Sequence, residues 1–302
     1  MSKISVVINT LNEEKNIKKA ITSVKSFADE IVVVDMHSGD KTVEIAKEMG
    51  AKVYDHEPVG YVEPARNFAI SKAESEWVFI LDADEEASEG LAKKIKEIVK
   101  GDIGDYYRIP RKNINFGKWI KHARWWPDYN IRLFRKGCVS WNEVIHSVPM
   151  TTGQGFEIPP EEKYAIVHHN YSSISDYISR LNRYTDVQSK FLSKNGYKFE
   201  WKDLIGKPVG EFLGRYFSGE GYKDGLHGLA LSVLQGFSEF VTYLKVWELN
   251  KFEEKNIDIK KLEDEVQKSQ KEVLWWIRDR RISSMSIIPK MLNKIFRKVT
   301  NG

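Results

Sequence analysis

Two carboxylates one residue apart, Asp82 and Asp84, stand just past a short apolar run, Trp77 to Leu81. At the end of a buried strand, that spacing lets both share a hard divalent cation. Magnesium and manganese take oxygen ligands and readily accept phosphate oxygens as the remaining ones. A cation there would neutralise a diphosphate as it departs. A D-x-D pair alone is a weak signal, because Asp84 or Ser88 could equally cap a following helix. Two further clusters repeat the arrangement. Asn9-Thr10-Leu11-Asn12-Glu13 follows Ile4 to Ile8, and Asp35 follows Ile31 to Val34. A carboxylate such as Asp35 can accept hydrogen bonds from a base or a ribose, or simply close a turn. The SGD segment after it is no phosphate loop, and G-x-x-x-x-G-K-[ST] occurs nowhere in the chain.

These residues need a sheet to bring them together. The apolar runs Ile4 to Ile8, Ile31 to Val34, Val53-Tyr54 and Trp77 to Leu81 read as strands. Helical patterns separate them: Ile17, Ala20, Ile21 and Val24 at i, i+3, i+4 and i+7; Lys41 to Gly50; and Pro64 to about Ala73. A further helix is expected from about Ser88 to Lys100. This β-α-β-α order predicts an α/β fold, a mostly parallel sheet with helices on both faces. Ligands of such sheets bind beyond the carboxyl ends of the strands, where all three polar clusters fall. The stretch from about 102 to 175 is aromatic and strand-like and is expected to complete the first domain. From Ser175 the pattern is helical. Leu226, Leu229, Ala230, Val233, Leu234, Phe237, Phe240, Val241 and Leu244 keep helical spacing, and Asn250 to Lys271 reads as a solvated helix or linker.

The chain has 302 residues, 41% of them hydrophobic, enough for a sizeable core. A single cysteine, Cys138, allows no internal disulfide and favours a reducing compartment. The opening MSKISVVINT has no signal-peptide pattern, and no apolar run approaches the roughly 18 residues of a membrane span. The net charge of +4 is uneven: residues 275–302 hold seven basic residues and one acid, so residues 1–274 carry −2. Nucleic acid is therefore not an expected partner, since residues 1–274 are slightly acidic and the basic patch is confined to the tail. Ile288, Met291, Leu292, Ile295, Phe296 and Val299 form one stripe with lysines and arginines opposite, the pattern of a basic amphipathic helix in a membrane interface. An ordinary terminal helix is the alternative. Trp275 and Trp276 would sit at headgroup level nearby.

VVINTLNEE, IVVVDMHSGDKT and FILDADEE, in this order and spacing, resemble the inverting glycosyltransferases of family 2, which have the GT-A fold. PARNFAISKAESEWVFILDADEE, WWPDYNIRLFRKG, HHNYSS and GYKDGLHGLALSVLQGFSEFVTYLKVWE resemble their lipopolysaccharide-core glucosyltransferase-like branch. The likeness covers about residues 4–247. It implies a nucleotide-sugar donor, usually a UDP-sugar, a Mn2+ or Mg2+ cofactor, and single displacement with inversion. Thr10, Asn12 and Glu13 match the first nucleotide-binding loop, and Asp35 the acid at the base. Arg66 and Asn67 match a donor-contacting helix start, and Arg132 a residue near the diphosphate. Asp82 and Asp84 match the D-x-D motif, with Asp84 the direct metal ligand. His169, or its neighbour His168, is expected to complete the metal shell, or else to be a hydrogen-bonded strand end. The general base is expected at Glu143, with His146 and Asp128 as alternatives. Here the sequence departs from the family, having Asn142-Glu143 where a histidine-glutamate pair is common. Trp125, Trp126, Trp141 and Tyr171 could stack on a sugar or belong to the core.

The expected organisation is a GT-A catalytic domain over 1–175, a helical region over 176–274 serving acceptor docking or homo-oligomer formation, and a basic segment over 275–302. The expected acceptor is a lipid-linked or cell-envelope glycan, reached from the cytoplasmic face of the membrane as a peripheral protein. A glycosyltransferase acting on protein or peptide, and an inactive nucleotide-sugar-binding membrane module, are the rivals.

Overall fold

The computed structural model describes residues 2–58, 63–141 and 149–284. Glu143, His146 and the basic stripe from Ile288 to Val299 lie outside the described residues. The chain divides into two compact units: residues 1–120 with 125–172, and residues 121–124 with 173–302.

The first unit is built on β1 (Ile4–Thr10), β2 (Glu30–Asp35), β3 (Lys52–Asp55) and β4 (Trp77–Asp82), separated by α1 (Ile17–Val24), α2 (Thr42–Glu48) and α3 (Glu63–Lys72). The order β3-β2-β1-β4 is parallel throughout. Every residue of β1 is buried, which explains why it reads as a continuous apolar run rather than an alternating one. The face carrying Val6, Ile8, Val33 and Leu81 packs against Ile17, Ala20, Ile21 and Val24 of α1. The opposite face, with Val7, Val34 and Ile80, packs against Ala69, Ile70 and Ala73 around α3. The expected helices on both faces are therefore present.

The sheet continues past β4 through β8 (Asp128–Arg135), β6 (Tyr106–Asn115), β12 (Ile166–Tyr171) and β5 (Glu85–Ala87), with antiparallel pairing at β4-β8, β8-β6 and β12-β5. Between β5 and β6 runs α4 (Glu89–Gly101), whose N-cap is Ser88: its Oγ accepts the Leu91 amide at 3.2 Å. The capping role thus falls to Ser88, not Asp84. The short strands β7 (Lys118–Trp119) and β11 (Gly155–Glu157) pair with β6, and β9 (Val139–Ser140) pairs with β10 (Met150–Thr151).

The second unit consists of α5 (Ile174–Lys194), α6 (Asp203–Leu213), α7 (Leu226–Leu249) and α8 (Ile259–Ser284) with short helical turns between. The stretch expected as a solvated helix or linker, Asn250 to Lys271, becomes a turn and the first half of α8. Buried Asp224 accepts from the His122 amide at 2.8 Å and from the Lys121 amide at 3.4 Å, which ties residues 121–124 to this unit.

Candidate active site

The register of the parallel strands carries the three polar clusters to one edge of the first unit. Asn9 pairs with Asp82 and Thr10 with Asp35. Because side chains alternate across a strand, Asn9 and Asp82 share one face and Thr10 and Asp35 the other.

The loops after β1 and β2 are laced together. Asn12, at a φ of 57°, donates its amide to Ser38 Oγ at 2.7 Å, and its side-chain Oδ1 accepts the Gly39 amide at 2.8 Å. The Glu13 amide donates to Thr42 Oγ1 at 2.7 Å, and the Glu13 carboxylate accepts from Asn16 Nδ2. Asp35 is buried and accepts from the Ser38 amide at 2.8 Å and the Ser38 hydroxyl at 2.6 Å. Asn12, Glu13 and Asp35 therefore shape the loops at the carboxyl ends of β1 and β2. The Asn9 amide and the Thr10 hydroxyl are buried and find no partner among the described residues.

Beside them lies a chain of charges, buried at Arg132 and Glu85 and half-buried around them. Asp82 accepts both oxygens' share of bonds from arginines: Arg66 Nη2 at 2.8 and 3.1 Å and Arg132 Nη2 at 2.7 Å. Burial works against its charge, but the Arg132 and Arg66 guanidiniums hold the carboxyl well below the usual carboxylate range. The same Arg132 Nη2 donates to Glu85 Oε1 at 2.7 Å. Glu85 is sealed from solvent, and its other oxygen accepts the Asp82 amide at 3.0 Å. Arg111 extends the chain from Glu85, at 3.2 Å, to Asp128, at 2.7 Å. Arg132 retains two donors, Nε and Nη1, that meet no acceptor among the described residues.

Asp84 meets a histidine. Its Oδ2 lies 3.5 Å from His168 Nε2. His168 Nδ1 sits 2.6 Å from Asn113 Oδ1, and Asn113 Nδ2 donates to Asp128 at 3.0 Å. With the ring proton on Nδ1, the Nε2 lone pair points to the Asp84 side, the tautomer a metal ligand requires. Two atoms each about 2.1 Å from a hard cation stand roughly 3 to 3.5 Å apart, so the pair fits a shared ion. Among the described residues no three His, Cys, Asp or Glu side chains converge on a point, so phosphate or water oxygens would have to supply the remaining ligands.

Several expected positions are displaced. His169 faces the opposite way from His168, since neighbours on a strand alternate; its Nε2 meets Glu86 at 2.7 Å, so the histidine beside Asp84 is His168. Asn67 is spent on backbone: its Nδ2 donates to the Trp141 carbonyl at 2.6 Å and its Oδ1 accepts the Trp141 amide at 2.9 Å. Trp141 itself is core, packed on Phe134. Asp128, held by Arg111 and Asn113, has its carboxyl pushed below the usual range despite burial, which makes it a fixed charge and a poor proton acceptor. Sequence reasoning named Asn9 and Glu85 only as members of the strand-end clusters and missed Arg111 and Asn113. The legible signal was in Arg111 and Asn113, polar residues two apart on one strand.

Residues 5–152 match the sequence profile of the family described as Glycosyl transferase family 2. An uncharacterized glycosyltransferase of Rickettsia typhi is 33% identical over 262 residues, spanning 83% of this chain and 88% of that one. The lipopolysaccharide core biosynthesis glycosyltransferase LpsC of Rhizobium meliloti is 25% identical over 256 residues, spanning 81% and 92%. Among solved structures, S. aureus TarS 1-349 in complex with UDP aligns at a TM-score of 0.45 and 16% identity over 85% of this chain and 94% of that one.

Proposed function

Since the chain belongs to glycosyltransferase family 2, we propose that it moves a sugar from a UDP-sugar onto a hydroxyl of a lipid-linked or cell-envelope glycan, with inversion and with a divalent cation. The observation that carries the reading is the split at the D-x-D motif: Asp82 is neutralised by two arginines, while Asp84 stands against His168.

Asp84 and His168 would hold Mn2+ or Mg2+, which when bound supplies positive charge to the diphosphate leaving group. Arg132 contributes a fixed charge of its own. Its position is set by Asp82 and Glu85, and its remaining N–H groups can donate to an oxyanion without reorganising. Arg66 does the same from α3. The buried Asn9 amide and Thr10 hydroxyl are assigned to the donor, with Asn12, Glu13 and Asp35 framing the base and ribose. Glu143 is assigned as the general base that takes the proton from the attacking hydroxyl as the anomeric carbon is displaced in line. It follows Trp141 by two residues in sequence, and Asn67 clamps the Trp141 backbone, so Asn67 is a positioning residue.

The likeness to LpsC and the basic end of the chain support an envelope acceptor met at a membrane surface that faces the cytoplasm. No helix among the described residues is long and apolar enough to cross a membrane. The test is nucleotide release from a panel of nucleotide sugars, with Mn2+, Mg2+ or chelator. Chelator-sensitive release from one UDP-sugar is expected, and Asp84→Asn should lower it by about a thousandfold without moving the unfolding midpoint. Release that ignores both the chelator and this substitution would sink the metal assignment.

A further inference from the structure

In the second unit the first half of α7 makes an unusually close contact through small residues. Its small residues face inward: Gly228, Ser232 and Gly236 are buried at i, i+4 and i+8. The approach is close. A Cβ at Gly228 would lie 1.8 Å from the Gly221 carbonyl oxygen, and one at Gly236 would lie 2.8 Å from that of Pro208. Leu231 is buried with them, but four other large apolar residues of this half face outward. Leu226 is 77% exposed, Val233 52% and Phe237 45%, with Leu229 between them. No Asp, Glu, Lys or Arg occurs from Leu226 to Phe237. A helix that met only water on this side would show the reverse pattern. The helix does not qualify as a membrane span.

The end of α8 indicates what covers this face. Trp276 stacks on Phe217 at 5.9 Å, and the Arg280 guanidinium lies 5.3 Å over the Tyr222 ring, in the turn that leads into α7. These contacts place the exposed Leu274, Trp275 and Ile277, with Arg278 and Arg281, at the end of the unit where α7 begins. Aliphatic side chains, indoles and guanidiniums together match the interfacial zone of an anionic bilayer. The sequence after Ser284 adds four basic residues and no acid. A second copy of the chain would set these like charges against each other, whereas an anionic lipid surface complements them.

We propose that the outward face of α7, with the end of α8, is a docking surface for an anionic membrane, a contact additional to the basic terminal stripe. It deepens the membrane-acceptor reading and rests on it only for the choice of lipid. In full-length protein carrying Cys138→Ser and Val233→Cys, an NBD fluorophore on the new thiol reports the polarity at this face. Vesicles containing phosphatidylglycerol should shift its emission to the blue and raise its intensity severalfold, and pure phosphatidylcholine vesicles should do so far less. The double variant Val233→Asp/Phe237→Asp, checked for unchanged circular dichroism, should bind the anionic vesicles about tenfold or more weakly. Its nucleotide release should stay at the wild-type rate, and that separate readout distinguishes failure of the docking surface from failure of the transferase reading. An emission that vesicles leave unchanged overturns the proposal. So does one already blue-shifted without vesicles, because the face is then covered by a second copy or by the chain itself.

Discussion

In the first unit Arg132 is 1% exposed, shut in with Glu85 and bound to the half-buried Asp82 on a sheet of valine, isoleucine and leucine. In the second unit Ser232 and Gly236 are shut in while Leu226 is 77% exposed. One unit buries charge and the other exposes apolar surface, and each inverts the ordinary distribution where a ligand or a surface is expected. A buried ion network is costly unless every charge is compensated, so such a network marks a place where fixed charge is needed. An exposed apolar stripe is costly in water, so it marks a place where water is to be replaced. The departures from the ordinary distribution point to function more directly than the parts that obey it.

The contrast can be broken at Arg132. Arg132→Met leaves Asp82 and Glu85 buried with less compensation and should cost about 3–5 kcal/mol in urea unfolding; a loss below about 1 kcal/mol would mean that water already reaches the cluster. Acid sharpens the same point. Asp82 and Asp128 titrate lower in the fold than in the unfolded chain, where an aspartate has a pKa of about 3.9. Below about pH 4 the unfolded chain therefore binds more protons, so this stability is complete at neutral pH and falls away as pH drops toward the folded values. Unfolding free energy measured between about pH 2 and 5 should fall less steeply in Arg132→Met than in the wild type, whose network it dismantles.

The helical unit predicts smaller effects. Gly228→Ala drives a Cβ against the Gly221 carbonyl and should destabilise by about 1–3 kcal/mol, seen as a lower urea midpoint. Leu226→Ser, two residues back and 77% exposed, should change stability by less than about 0.5 kcal/mol. Equal costs at the two positions would mean that the outward face is core.

Much of this was legible in order and kind. The β-α-β-α reading was drawn from β-branched runs and i, i+3, i+4 spacing, and β1 to β4 lie where those runs do, since strand and helix periods are local properties of the chain. The aspartates of the D-x-D motif were legible because a carboxylate after a buried strand must sit at the sheet edge. Which of them faces arginine and which faces histidine was not, since Arg132 and His168 reach them from strands 50 and 84 residues further along. The choice between His169 and His168 was not legible either, because composition does not fix the phase of a strand, and a shift of one residue reverses every side chain. The stripe from Leu226 to Leu244 announced an apolar helical face but not what would cover it.

The sequence by itself therefore determined the elements, their order and the residue types at the strand ends, because these depend on neighbours a few positions away. Only the tertiary structure decided that Asp82 is an anchored counter-ion, that His168 stands beside Asp84, and that α7 turns its glycines inward. Each of those facts depends on pairing between segments far apart in the chain, and pairing is set by register and close packing, which no local pattern encodes.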